Sequence, residues 1–263
     1  MSTNLTDDEE YQLFYSECAT IASFLKNGIE TIRNIVFPDE GMLLNAMFSL
    51  SQGIERFLKV DYALLFEQIN NRFPDSKEFR KLGHNIKTIF SELILLTEQL
   101  SISNSRLDSI KNHEEPYESI INILSDFASM LRYHNLNMLS ETSQSPTPAA
   151  RWHLEVEEKV IQNKKIPIDQ KKRQKAECMD HMQVGMLILF DYENNKIDTF
   201  KEQYLTVVKQ SVIDKYSKMY LCHIIQALYH IFNKTKYSAN LYEFFTPFTL
   251  DDAYLRSRKT FKN

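Results

Sequence analysis

The chain has 263 residues, 43% of them hydrophobic, and a formal net charge of -4: enough apolar content for one large core or two small ones, and no overall basic footprint for nucleic acid. Five glycines and seven prolines are too few for the many turns of an all-β protein, so the composition points to long helices with short connections. Cys18, Cys178 and Cys222 lie far apart, each in an apolar helical setting and none in a CxxC or Cys/His pair, which argues against zinc and a disulfide framework and for a reducing, cytoplasmic setting.

The start, MSTNLTDDEE, is polar and acidic, unlike a signal peptide, and no apolar run approaches the ~18 residues that span a bilayer, so no membrane partner is expected. Thr6 or Asp7 caps a first helix whose stripe runs from Leu13 and Phe14 through Ile21, Leu25, Ile29 and Ile32 to about Val36, where Pro38 stops it. The central helix follows. In it Leu43, Met47, Leu50, Ile54, Phe57, Asp61 and Leu65 share one face, which Leu44, Phe48, Leu58 and Tyr62 widen. Gly53 interrupts it at ~1 kcal/mol against alanine, unless a neighbour needs the space. Glu55, Arg56 and Lys59 put charge within the same span.

Asn70 to Ser76 reads as a loop. Gly83 precedes a third helix carrying Ile86, Ile89, Phe90, Leu93, Leu96 and Leu100. Ser101 to Glu115 reads as a weakly helical or irregular linker. Pro116 opens a fourth helix, with Ile120, Ile121, Leu124, Phe127, Ala128 and Leu131 inward, that ends in Arg132-Tyr133-His134-Asn135. The Ser-, Thr- and Pro-rich residues 140–150 divide an N-terminal four-helix unit, 1–139, from a C-terminal helical unit, 151–263, packed on it. In that second unit the pattern predicts a short helix near Trp152 to Gln162. A basic run follows (Lys164, Lys165, Lys171, Lys172, Arg173, Lys175), then a long helix through Met179 to Phe190, and a turn at Asp191 to Lys196 able to close a small hairpin. Two more helices, about 199–211 and 213–233, precede an aromatic tail with a basic end. The fold class is all-α, a helical bundle.

The seven histidines show no HExxH or HxxxH spacing, so neither a metal nor a cofactor is expected. The absence of GxxxxGK[ST], GxGxxG and GxSxG excludes P-loop, Rossmann and α/β-hydrolase sites. The basic run, and a C-terminal cluster of Arg256, Arg258, Lys259 and Lys262, could grip phosphates or simply be solvated. Arg132 to Asn135 is the most suggestive stretch: arginine holds a phosphate bidentately and histidine moves protons near neutrality, which is most of what metal-free RNA cleavage requires. His84-Asn85 is a second polar pair able to converge there. The bland alternative is a helix end, with Arg132 bonded to Glu55 or Asp126 and Tyr133 packed.

Ile54-Glu55 with Leu58-Lys59, then Gly83-His84-Asn85-Ile86, then Arg132-Tyr133 occur in the order of the IE..LK, GH(D/N) and RY features of the HEPN superfamily, which the chain resembles over about residues 40–140. The RYHNLN stretch and the ending from Glu243 to Thr260 are also similar to uncharacterised bacterial proteins. Active HEPN nucleases carry an arginine and, a few residues on, a histidine. Arg106 and His113 match that spacing, whereas Arg132 and His134 are separated by one residue. The resemblance implies an RNA-directed defence or toxin-type protein, a metal-independent ribonuclease or its inactive relative, homodimeric or held by an antitoxin or other defence component. Its catalytic residues would be Arg132, His134 and His84, with Asn85, Tyr133, Asn135, Glu55 and Lys59 binding RNA or ligand. The alternative is a non-catalytic helical module binding a partner protein or small ligand through the aromatic C-terminal unit.

Overall fold

The computed structural model describes residues 6–35, 39–129, 146–164, 170–181, 189–190, 196–257 and 260–261. Helix α1 (Asp7–Asn34) starts in a capping box: the Thr6 hydroxyl accepts the Glu9 N–H, and Glu9 accepts the Thr6 N–H at 2.8 Å. Helix α2 (Glu40–Asn70) is capped by Asp39 and ends at Asn71 with φ 54°. The two are antiparallel, since Asn27 donates to Ser49 and Arg56 to Glu17 across one seam.

That seam explains Gly53. A Cβ there would lie 2.7 Å from Leu25 Cδ2, and one on Gly28 would lie 2.6 Å from Leu50 Cγ. Each glycine receives a leucine of the opposite helix, and the propensity loss at Gly53 is the condition for close approach. The expected stripe on α2 is buried from Leu43 to Leu65. Phe48, placed on its widened edge, is instead 40% exposed, and Leu13 of the α1 stripe is 59% exposed.

Helices α3 (Ser76–Leu82), α4 (Ile86–Gln99), α5 (Ser105–Lys111) and α6 (Tyr117–Ser129) complete the N-terminal half. Two of these differ from the sequence reading. The expected loop ends at Ser76, but a helix not expected between it and Gly83 follows, because Asp75 and Glu78 form a second capping box that starts α3. The 101–115 stretch contains α5, held by buried Leu107 and Ile110. Pro148, Ala149 and Ala150, at the end of the expected linker, are buried in α7 (Pro148–Trp152), which continues through a π-helical turn (His153–Glu157) into α8 (Glu158–Lys164).

Helix α9 (Gln170–His181) carries Lys171, Lys172, Arg173 and Lys175 on an exposed face, and Cys178 is exposed there too, unlike buried Cys18 and Cys222. The expected continuous helix to Phe190 does not form, because Leu189-Phe190 (β1) is extended and pairs antiparallel with Lys196-Ile197 (β2). The two expected late helices are one, α10 (Phe200–Phe232). It packs against α1, α2, α5, α6 and α9. The tail follows as α11 (Ser238–Leu241), two 3-10 turns and α12 (Asp252–Ser257). Phe245 stacks on Phe57 of α2 at 4.4 Å, and one buried cluster runs from α1 through α10 to Phe261. The two units expected from the sequence thus share a core. The fold is an all-α bundle, and no described helix is long and apolar enough to cross a membrane.

Asp61 lies on the buried stripe of α2 with both carboxyl oxygens lacking a hydrogen-bond partner. Burial raises its carboxyl well above the ordinary 3.8. The native state therefore keeps a proton that the unfolded chain releases, and the corresponding stability is complete below pH 3.8 and lost as pH rises toward the folded value. Asp61→Asn removes this titration. In urea unfolding we expect the stability of the variant relative to wild type to grow with pH, with the variant ahead by about 1–3 kcal/mol in mild alkali. A difference that does not vary with pH would show that Asp61 is ionised in the fold.

Candidate functional site

Where the α1–α2 seam ends at the Arg56–Glu17 pair (2.7 Å), a cleft of about 950 Å³ opens. Leu13 and Phe14 of α1 form one wall, and Val60 and Ala63 of α2 the floor. Phe73, whose ring packs on Phe14 at 5.8 Å, continues the α1 wall, and Phe79 and Ala128 of α6 complete the apolar lining. Short α3 puts Phe79 there, and Arg72 bonds both oxygens of Glu78 at 2.8 Å to fix the approach to it. That doubly bonded, backbone-capping carboxyl is pulled down to about 2.

One corner is polar. Gly83 ends α3 at φ 61°, a conformation that favours glycine, and the next residue is His84. Its Nδ1 lies 2.8 Å from Glu55 Oε1, and Lys59 Nζ lies 2.8 Å from the same oxygen. Glu55 is buried at 7% exposure, and its Oε2 has no hydrogen-bond partner. The His84 side chain is 75% exposed. With Nδ1–H given to the carboxylate, Nε2 is the ring nitrogen open to a ligand.

No family model, curated protein or solved structure matches the chain.

Three of the sequence candidates, Glu55, Lys59 and His84, meet at this corner. Asn85 does another job: its side chain accepts the Thr88 N–H at 2.9 Å and caps α4. Arg132, Tyr133, His134 and Asn135 lie outside the described residues. Asp126, one carboxylate considered for Arg132, takes Arg151 at 2.7 Å. Arg106 pairs with Asp252 at 3.4 Å and His113 with Glu118 at 3.5 Å. Among the described residues no group of three or more His, Cys, Asp or Glu side chains is placed to hold a metal. The tail aromatics Phe245, Phe248 and Phe261 are buried in the core, so the cleft belongs to the N-terminal half rather than the aromatic C-terminal unit.

Sequence reasoning missed the aromatic walls. The signal for Phe79 was present: Asp75-Ser76-Lys77-Glu78 is a capping-box pattern, and the helix it starts carries Phe79 into the lining. It also missed a buried polar chain elsewhere. The Tyr117 hydroxyl donates to His223 Nδ1 at 2.7 Å, and His223 Nε2–H donates to Asp252 at 2.8 Å, joining α6, α10 and α12. Burial, aided by neighbouring Tyr220, pushes the Tyr117 phenol up to about 12. Burial raises the Asp252 carboxyl, but His223 and the nearby arginines outweigh it and the net shift is downward. This chain is away from the cleft and ties the tail to the bundle. Tyr117→Phe and Asp252→Asn should each cost about 1 kcal/mol. The double variant should cost less than the sum, because the two bonds share one imidazole. A double-mutant cycle in urea measures the coupling, and strict additivity would mean the bonds act independently.

Proposed function

We propose that this protein is a non-catalytic helical binding module whose cleft takes a small amphipathic ligand. The carrying observation is a preformed cleft of about 950 Å³, apolar on its walls and polar at one corner. That is the size and balance of sites that bind small molecules. An alkyl chain laid along Phe14, Phe73 and Phe79 would gain ~0.8 kcal/mol per buried methylene. The Glu55–Lys59–His84 corner would fix its orientation by hydrogen bonds. Decanol titrated by calorimetry should bind saturably with one site, and Leu13→Asp and Ala63→Leu should each weaken it about tenfold, ~1.4 kcal/mol. Absence of saturable binding to the wild type, or full retention in both variants, would remove this reading.

A second reading is favoured by one specific arrangement, the exposed His84 imidazole oriented by a buried carboxylate. In that reading the protein is an RNA-directed defence or toxin-type ribonuclease of the HEPN kind. His84 would act with Arg132 and His134 in a homodimer or beside an antitoxin. Tyr133, Asn135, Asn85 and Lys59 would hold the strand. Its expected outcome is cleavage of single-stranded RNA by the wild type that is lost in His84→Ala, Arg132→Ala and His134→Ala. Equal cleavage by all four proteins, or none, would exclude it.

A further inference from the structure

We infer that the cleft is selective for an organic cation: an apolar body carrying a primary ammonium, bound with its charged end at Glu55. The inference rests on the cleft reading above and adds the chemistry of the headgroup.

Three observations carry it. First, Glu55 is more than nine-tenths buried, its Oε1 already receives both His84 and Lys59, and its Oε2 has no donor. A buried acceptor without a partner is unfavourable, and a ligand N–H is the group that satisfies it. Second, the cations around the cleft are already paired: Arg56 with Glu17 at 2.7 Å, Lys59 with Glu55 at 2.8 Å and Lys236 with Glu10 at 3.7 Å. An anionic headgroup would have to take a cation from its carboxylate, whereas a cationic one meets the Glu55 oxygen that has no donor. Third, this aromatic wall already accommodates an ammonium. Lys236 Nζ lies 5.3 Å from the ring centroid of Phe73 and 5.1 Å from that of Tyr237, which packs on Phe14. Ring faces in such positions attract cations. His84, largely exposed, is the side chain that can swing aside to admit the headgroup beside Glu55.

The test uses the full chain and three probes of one length, decylammonium, decanol and decanoate, titrated by calorimetry below their micellar concentrations. Decylammonium should bind at least tenfold tighter than decanol, and decanoate more weakly than decanol. Glu55→Gln should reduce the preference for decylammonium over decanol to about twofold or less. Leu13→Lys, at an exposed wall position that leaves the core intact, should weaken decanol about tenfold, as Leu13→Asp does, and decylammonium at least fivefold more than that. Leu13→Lys decides the matter if Glu55→Gln does not fold. Equal binding of all three probes would overturn the cation inference while leaving the cleft as a binding site. Tightest binding by decanoate would replace it with anion recognition. No binding by any probe would remove the cleft reading and the inference together.

Discussion

The reciprocal insertion of Leu25 over Gly53 and Leu50 over Gly28 governs the geometry of this bundle. Two long helices come this close where one of a facing pair of residues has no side chain. Cβ atoms placed there would fall within 3 Å of a leucine that is itself fully buried. The seam fixes the register of α1 on α2, and register decides which residues meet beyond its end. Glu17 reaches Arg56 there, and Leu13 and Phe14 come to flank Val60 and Ala63. The cleft is thus a consequence of the glycine contacts, although none of the glycines lines it.

The same helix carries both structural and site chemistry. The stripe of α2 from Leu43 to Leu65 is apolar apart from Asp61, whose carboxyl is pushed well up by burial. A neighbouring face carries Glu55 and Lys59. Glu55 differs from Asp61 in having donors: Lys59 one helical turn on, and His84, brought from the end of α3 by a glycine with positive φ. A carboxylate with two donors on one oxygen and none on the other is held in place yet incompletely satisfied, as expected of a group that meets a ligand. The tail contributes by a different route. Phe245 against Phe57 and the Tyr117–His223–Asp252 chain fasten it to the bundle, so its aromatics stabilise the fold and leave binding to the N-terminal half.

The helical face of α2, the capping of α1, the all-α class and the meaning of Gly53 were legible in the sequence, because they rest on periodicity and local hydrogen bonds that neighbouring residues specify. The short helices α3 and α5 were obscured, since seven residues give too few turns for a periodic signal and are stabilised by caps and tertiary burial. The run from Met179 to Phe190 looked helical by apolar content, yet Leu189 and Phe190 form a strand, because pairing with Lys196 and Ile197 lies outside any local window. Residues such as Glu55, Lys59 and His84 were visible as out-of-place polar groups before any geometry was known. That His84 and Glu55 share a hydrogen bond across 29 positions of chain, that Phe14, Phe73 and Phe79 line one cleft, and that His223 links Tyr117 to Asp252 were decided only by tertiary packing. Each of these depends on the register of one helix against another, which no single helix encodes.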